Sequence, residues 1–189
     1  VYLYKYQIYP HLDKINQLTI KESYGTKIDF VVKLILYLKI QHGETTTDEN
    51  LGPLQIVIYS QYLDFLEILS KVLTHHSIKH FNTTKHSKFS KFVEKFKKSP
   101  DITCLLLNVR KQASGLTLVN ATHVFLLDPI INHGDELQAI NRVHRIGQTR
   151  ETCVWNFMVK NTVEENILKY KCVLEEKKAN KNRNKNKNP

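Results

Sequence analysis

The apolar positions of this 189-residue chain change period several times along its length. Between 26 and 40, Ile28, Val31, Val32, Ile35 and Leu38 recur at helical spacing, which predicts an amphipathic helix. The polar, acidic stretch 41–53 is bounded by glycine and proline and reads as a loop. Short apolar runs then alternate with helical ones. LQIVIYS (54–60), IKHF (78–81), ITCLLLN (102–108), HVFLLD (123–128) and TCVWNFMV (152–159) predict strands. Residues 61–76, 87–99 and 162–179 predict helices. In the second of these Phe89, Phe92, Val93 and Phe96 share a face, and in the third Thr162 is the expected N-cap with Glu165 completing a capping box. A short helix is expected after Pro10. Strands alternating with helices imply an α/β fold, a mostly parallel sheet with helices on both faces. Ligands of such sheets gather beyond the carboxyl ends of the strands, here marked by Ser60, Asn108 and Asp128.

The segment DELQAINRVHRIGQTR (135–150) follows one of those ends. A helix from Glu136 to Arg145 would put Gln138, Arg142 and Arg145 on one face and Leu137, Ile140 and Val143 on another, with Gly147 as its stop. Guanidinium groups bond phosphate bidentately and keep their charge, so the row suits a phosphate ligand; a solvated basic face is the other reading. His144 reads as a packing or hydrogen-bonding histidine, and Asp128 as a residue that fixes the loop after its strand.

Composition narrows the choice. Length and a 41% hydrophobic content suit one sizeable domain. A net charge of +10 favours an anionic partner, nucleic acid ahead of membrane or acidic protein, although the Lys/Asn-rich end inflates the figure. Cys104, Cys153 and Cys172 are odd in number and far apart, which fits neither a disulfide framework nor a zinc site. His75, His76 and His80 do not make a metal motif, and no metal ligand is expected in the chain. Tyr2, Tyr4 and Tyr6 read as docking contacts. No apolar run is long enough for a membrane span. The start VYLYKYQIYP has neither an initiating Met nor a signal-peptide pattern, so the chain is expected to belong to something longer. Three regions follow: an N-terminal arm or helix (1–25) joining to a preceding domain, a lobe (26–176), and a basic tail (177–189) expected to be disordered.

Gln138, Arg142, Arg145, Ile146, Gly147 and Gln148 have the form Gln-x-x-x-Arg-x-x-Arg-Ile-Gly-Gln. Together with QIVIYSQYLDFLEIL and LLLNVRKQASGLTLVNATHVFLLDP, this block resembles the second RecA-like lobe of superfamily 2 helicase-type motors of the SWI/SNF branch. The wording of residues 115–149 is similar to the SHPRH-like members and their fungal relatives, which insert a RING finger between two motor lobes. The resemblance implies the C-terminal lobe of an ATP-dependent double-stranded DNA translocase, in a nuclear, chromatin-associated parent protein with ubiquitin ligase activity elsewhere. By that resemblance Arg142 and Arg145 are arginine fingers, and Gly115 and Gln138 complete the nucleotide-binding set. Ser60, Gln61, Arg110 and Thr117 contact DNA or link it to ATP. ATP and Mg would be held mainly by a first lobe, through a phosphate loop and an Asp-Glu pair that this chain lacks, so the chain alone is expected to be inactive. Zinc would belong only to the RING, outside this chain. The implied partners are double-stranded DNA or chromatin, the first lobe, and a ubiquitin-conjugating enzyme reached through the RING. Gln112-Ala113 replaces the usual Gly-Gly, and Ile131-Asn132-His133 the usual Trp-Asn-Pro. Those departures keep a second function open, a catalytically decayed module that binds DNA, nucleosomes or protein partners.

Overall fold

A computed structural model of the chain describes residues 11–44, 52–84, 89–110 and 116–185, with side chains described no further than Leu174. Its elements are α1 (Leu12–Gln17), α2 (Thr26–Glu44), β1 (Ile56–Ser60), α3 (Leu63–His75), β2 (His80–Asn82), α4 (Phe89–Lys98), β3 (Cys104–Asn108), β4 (His123–Leu126), α5 (His133–Ile140), β5 (Cys153–Asn156) and α6 (Val163–Lys185). Each expected strand and helix has a counterpart, with shifted bounds: the strands and the helices α3 and α4 are shorter than their apolar runs or shifted along them, α2 and α6 are longer, and the arginine segment is helical only as far as Ile140.

The five strands make one sheet in the order β2-β3-β1-β4-β5, and every neighbouring pair is parallel. Its central strand is buried on both faces, which explains the continuous apolar run IVIY. Alternation sorts the side chains all the same. Ile56, Ile58, Cys104, Leu106 and Phe125 join one core cluster with Val31, Ile35, Leu66 and Leu69 from α2 and α3. Val57, Tyr59, Leu105, Leu107 and Val124 join the other with Val93 and Phe96 of α4 and Ala139 and Ile140 of α5. Helices therefore cover both faces, as expected. The segment read as an N-terminal arm packs on the first cluster: Ile15 of α1 is fully buried there, and Leu18, Ile20 and Tyr24 lie against it. Tyr2, Tyr4 and Tyr6 lie outside the described residues.

α6 extends into the segment read as a basic tail. Thr162 Oγ1 accepts from the Glu164 amide at 3.3 Å, while Glu165 accepts from the Asn161 amide at 2.9 Å, one residue earlier than a standard capping box. The helix then runs on to Lys185, through residues expected to be disordered. No glycine or proline interrupts 163–188, and Lys, Glu, Ala and Arg are good helix formers. Extending an existing helix needs no new nucleus, so polar composition alone does not end it.

Candidate functional site

Parallel strands align their carboxyl ends, and Ser60 is the register partner of Asn108. The three strand-end residues do meet. Ser60 Oγ donates to Asp128 Oδ1 at 2.6 Å, and the Gln61 amide donates to Asp128 Oδ2 at 2.9 Å. Asn108 Nδ2 donates to the carbonyls of Ser60 and Gln61 at 3.1 and 3.0 Å. Asn108 Oδ1 accepts from the Arg110 amide at 3.0 Å. Gln61 Nε2 donates to the Pro129 carbonyl at 3.1 Å, which ties the chain after β1 to the chain after β4. Asp128 thus fixes more than its own loop: one carboxylate holds the end of β1 as well. Ser60, read as a DNA contact, has a buried side chain whose hydroxyl donates to Asp128, and through that carboxylate it is tied to the Gln61 amide. Arg110 is exposed at the same edge. Gly115 and Gln112-Ala113 lie outside the described residues.

The arginine segment departs from the single helix face expected of it. Asn132 caps α5, its side chain accepting from the Gly134 amide at 3.0 Å, and the helix stops at Ile140. Turns replace it from Asn141 to Gly147. The chain tightens there into i→i−3 bonds, Arg142 N to the Ala139 carbonyl and Val143 N to the Ile140 carbonyl, and a tertiary bond holds the turn: Leu118 N donates to the Arg142 carbonyl at 2.7 Å. Gln148 then secures the turn by donating to the Ala121 carbonyl at 2.8 Å. Gly147, at φ +100°, reverses the chain where a side chain would be strained.

This course separates the three residues placed on one face. Gln138 is exposed on α5. Arg142 turns inward and is 8% exposed. Arg145 stays exposed, and its Nη1 donates to Thr117 Oγ1 at 2.9 Å. A residue assigned to DNA and one assigned to nucleotide are therefore bonded to each other. Arg142 has little to bond: Nη1 reaches the Leu116 carbonyl at 3.5 Å, and Nε is buried with no partner. A guanidinium carries five donors, and burying them unused is costly. Its charge acts on Tyr59, whose hydroxyl is likewise buried and unpartnered. Burial pushes the Tyr59 phenol far up, and the Arg142 charge offsets this in part. The two arginines offer unspent donors, one inside and one at the surface, on neighbouring turns.

Tyr59, Glu136 and Lys171 escaped sequence reading. Tyr59 precedes Ser60 on the strand, and alternation places it on the arginine face. Glu136 and Lys171 form a buried ion pair at 2.6 Å, 5% and 7% exposed, joining α5 to α6. Nothing in the polar stretch HGDEL singles out Glu136, because its partner lies 35 residues away. The histidines read as lacking a metal motif have other partners. His76 and His80 bond a carbonyl and a hydroxyl nearby, and His75 meets the Tyr24 hydroxyl. Burial pushes the Cys104 and Cys153 thiols up, away from reactivity. Among the described residues no cluster of metal-ligating side chains forms, and no helix is long and apolar enough to cross a membrane.

A parallel sheet whose carboxyl edge carries a Ser-Gln strand end, followed by an Arg-x-x-Arg-Ile-Gly-Gln turn, defines a class. Residues 26–147 match the helicase conserved C-terminal domain. The chain belongs to that family and has the fold of its RecA-like lobe. The crystal structure of the C-terminal part of the Fun30 ATPase domain superposes with a TM-score of 0.67 at 26% identity, covering 82% of this chain and 48% of that one. Within the family the chain is of SWI/SNF type and sits in the SHPRH-like branch, near a fungal relative. It is 49% identical over 175 residues to the uncharacterized ATP-dependent helicase IRC20 of Saccharomyces cerevisiae, covering 92% of this chain and 11% of that protein. It is 35% identical over 158 residues to the E3 ubiquitin-protein ligase SHPRH of Homo sapiens, covering 82% and 9%. The chain therefore spans about a tenth of the length of these curated relatives.

Proposed function

We propose that this chain is the second motor lobe of an ATP-driven double-stranded DNA translocase, acting in the nucleus within a longer protein that also carries RING ubiquitin ligase activity. The observation that carries this reading is Arg142, a buried guanidinium whose Nε has no partner, beside the exposed Arg145. A triphosphate supplies what such groups lack, an anion with many acceptors. ATP would bring the transferable phosphoryl group, with Mg held by the first lobe. Arg142 and Arg145 would bond the phosphates and stabilise charge as it develops during transfer. Gln138, exposed one turn ahead of Arg142, would position nucleotide or arginine. Thr117 would hold Arg145 in place and pass the state of the DNA edge to it through their 2.9 Å bond. Gln61 and Arg110 would touch the DNA backbone from the edge braced by Ser60, Asn108 and Asp128. A ubiquitin-conjugating enzyme would be met through the RING, outside this chain.

The test uses the parent protein with both lobes. Arg145→Ala should lower DNA-stimulated ATP hydrolysis by ~10³-fold or more while duplex affinity stays unchanged. Turnover equal to that of the unsubstituted protein would overturn the assignment. One observation favours the second reading, a decayed binding module: Ile131, 64% exposed, stands where the motors carry Trp, and it offers a base no aromatic surface. Duplex binding without any DNA-stimulated hydrolysis by the unsubstituted parent would establish that reading.

A further inference from the structure

The chain's positive charge is concentrated. Lys79 to Asp101 holds seven lysines against Glu94 and Asp101 only. Residues 177–189 hold five lysines, one arginine and no acid. These two segments account for the whole net charge of +10, and the remainder of the chain has one acid in excess.

α4 turns the first segment into a surface. Val93 and Phe96 anchor it to the sheet, and its opposite side faces water. Both acids nearby are already engaged: Glu94 pairs with Lys97 at 3.2 Å, and Asp101 with Lys79 at 2.7 Å. Lys91, Lys95 and Lys98 recur at i, i+4 and i+7, all exposed, and no described carboxylate pairs with them. They form a row about 10 Å long on a rigid rod. Like charges at this spacing weaken an isolated helix slightly, so the row has no evident role in folding. None of the chain's exposed large hydrophobic residues lies between 79 and 101. A protein partner is usually gripped through apolar or aromatic anchors, whereas a phosphate backbone needs only charge. The row is also set apart from the arginines. Both helices pack on the same face of the sheet, but α4 lies over the β2-β3 flank, joining those strands, whereas α5 follows β4 on the opposite flank of β1.

We propose that Lys91, Lys95 and Lys98 form a second contact with double-stranded DNA, on its phosphate backbone and away from the edge of Gln61 and Arg110. This rests on the DNA-motor reading above. Ammonium groups position a duplex without reading its sequence, so the contact would grip any DNA and leave nucleotide chemistry alone.

The experiment measures binding of the whole chain to a short fluorescent duplex across a salt series. The triple variant Lys91→Gln, Lys95→Gln, Lys98→Gln should have a shallower salt slope, by about 2.7, because three fewer counterion equivalents are released. Between about 50 and about 200 mM salt the unsubstituted chain should then lose about fortyfold more affinity than the variant. The corresponding triple arginine variant should keep the original slope, and Lys95→Gln alone should remove about 0.9 of it. Unchanged melting temperatures would show that the fold is intact. A Gln variant with the original slope overturns the proposal while leaving the DNA reading standing. If the unsubstituted chain binds no duplex, both fall together. A variant that keeps its duplex slope but loses affinity for polyglutamate would overturn it in favour of an acidic protein partner.

Discussion

Arg142 and Arg150 belong to the same short segment, yet they meet opposite surroundings. Arg150 lies at the amino end of the sheet, where its Nη1 donates to the Pro53 carbonyl at 3.2 Å and its Nη2 to the Asn120 carbonyl. Its guanidinium packs so close to Gly52 that a Cβ there would come within 3.0 Å of Nη1. Beside it, the buried Gln55 donates from Nε2 to the carbonyls of Phe96, Ser99 and Ile102 and accepts from Asn120 Nδ2 at 2.7 Å. The Arg150 and Gln55 side chains are well partnered at that end, although Asn120 Oδ1 and Thr152 Oγ1 there are buried without a partner. Arg142 has one long bond and a buried, unpartnered Nε, next to an unpartnered Tyr59 hydroxyl. A buried polar group without partners is destabilising, and proteins tolerate such groups where function needs them. One end of the sheet is built to hold, and the other leaves its donors for something that arrives.

The sharpest way to break this contrast is to replace each arginine by an apolar residue of similar length. Arg142→Met should abolish DNA-stimulated hydrolysis in the parent protein, a loss of ~10³-fold or more. The same change should raise the stability of the chain by about 1 kcal/mol, or about 2–4 °C in Tm, because an uncompensated buried charge is removed. Arg150→Met should do the reverse. It leaves carbonyls unpaired and should cost about 2 kcal/mol, with turnover per folded molecule preserved. Calorimetry and a turnover assay on both variants decide it; an Arg142→Met protein less stable than the unsubstituted chain would mean that its donors are already satisfied.

The buried pair beneath α5 extends the comparison. Lys171→Met leaves the buried Glu136 with only the His133 ring, 3.7 Å away, and should destabilise the chain by about 3 kcal/mol. Adding Glu136→Met should recover most of that, since removing both charges together is often nearly neutral. Denaturant titration of the single and double variants measures the coupling. Failure of the double variant to recover would show that the pair does more than neutralise itself.

The amino end also predicts how the fold responds to acid. Burial, with His42 and Arg150 adding positive charge, lowers His123 to about 4 from its ordinary 6.5. Its Nδ1 faces the Trp155 indole N–H at 3.1 Å, which requires an unprotonated acceptor. The unfolded chain binds the extra proton more readily between those two values. Stability is therefore complete above pH 6.5 and falls as the pH drops towards 4, by about 3 kcal/mol at most. His123→Asn should flatten that part of the Tm–pH profile, and an unflattened profile would assign the acid sensitivity to another group.

Much of this was legible in the sequence. Short continuous apolar runs alternating with helical spacings pointed to a mostly parallel sheet with helices on both faces, because strands buried on both sides are apolar throughout. The strand ends Ser60, Asn108 and Asp128 marked the edge where the site forms, because parallel strands must end on the same side. The Gln-x-x-x-Arg-x-x-Arg-Ile-Gly-Gln block identified the family through identity at fixed spacing. Local pattern went wrong where a distant group intervened. α5 ends at Ile140, and Leu118, from before β4, holds the Arg142 carbonyl in the turn that follows, where Arg142 is buried and Arg145 exposed. Ser60 reads as an exposed hydroxyl until Asp128, 68 residues on, claims it. Arg142 and Arg150 look alike as letters, and only the carbonyls within reach of each decide that Arg150 has its bonds and the buried Nε of Arg142 has none. The sequence determined which segments are regular and which side chains they carry; the fold decided which hydrogen-bonding groups are spent, because that depends on partners brought together from far along the chain.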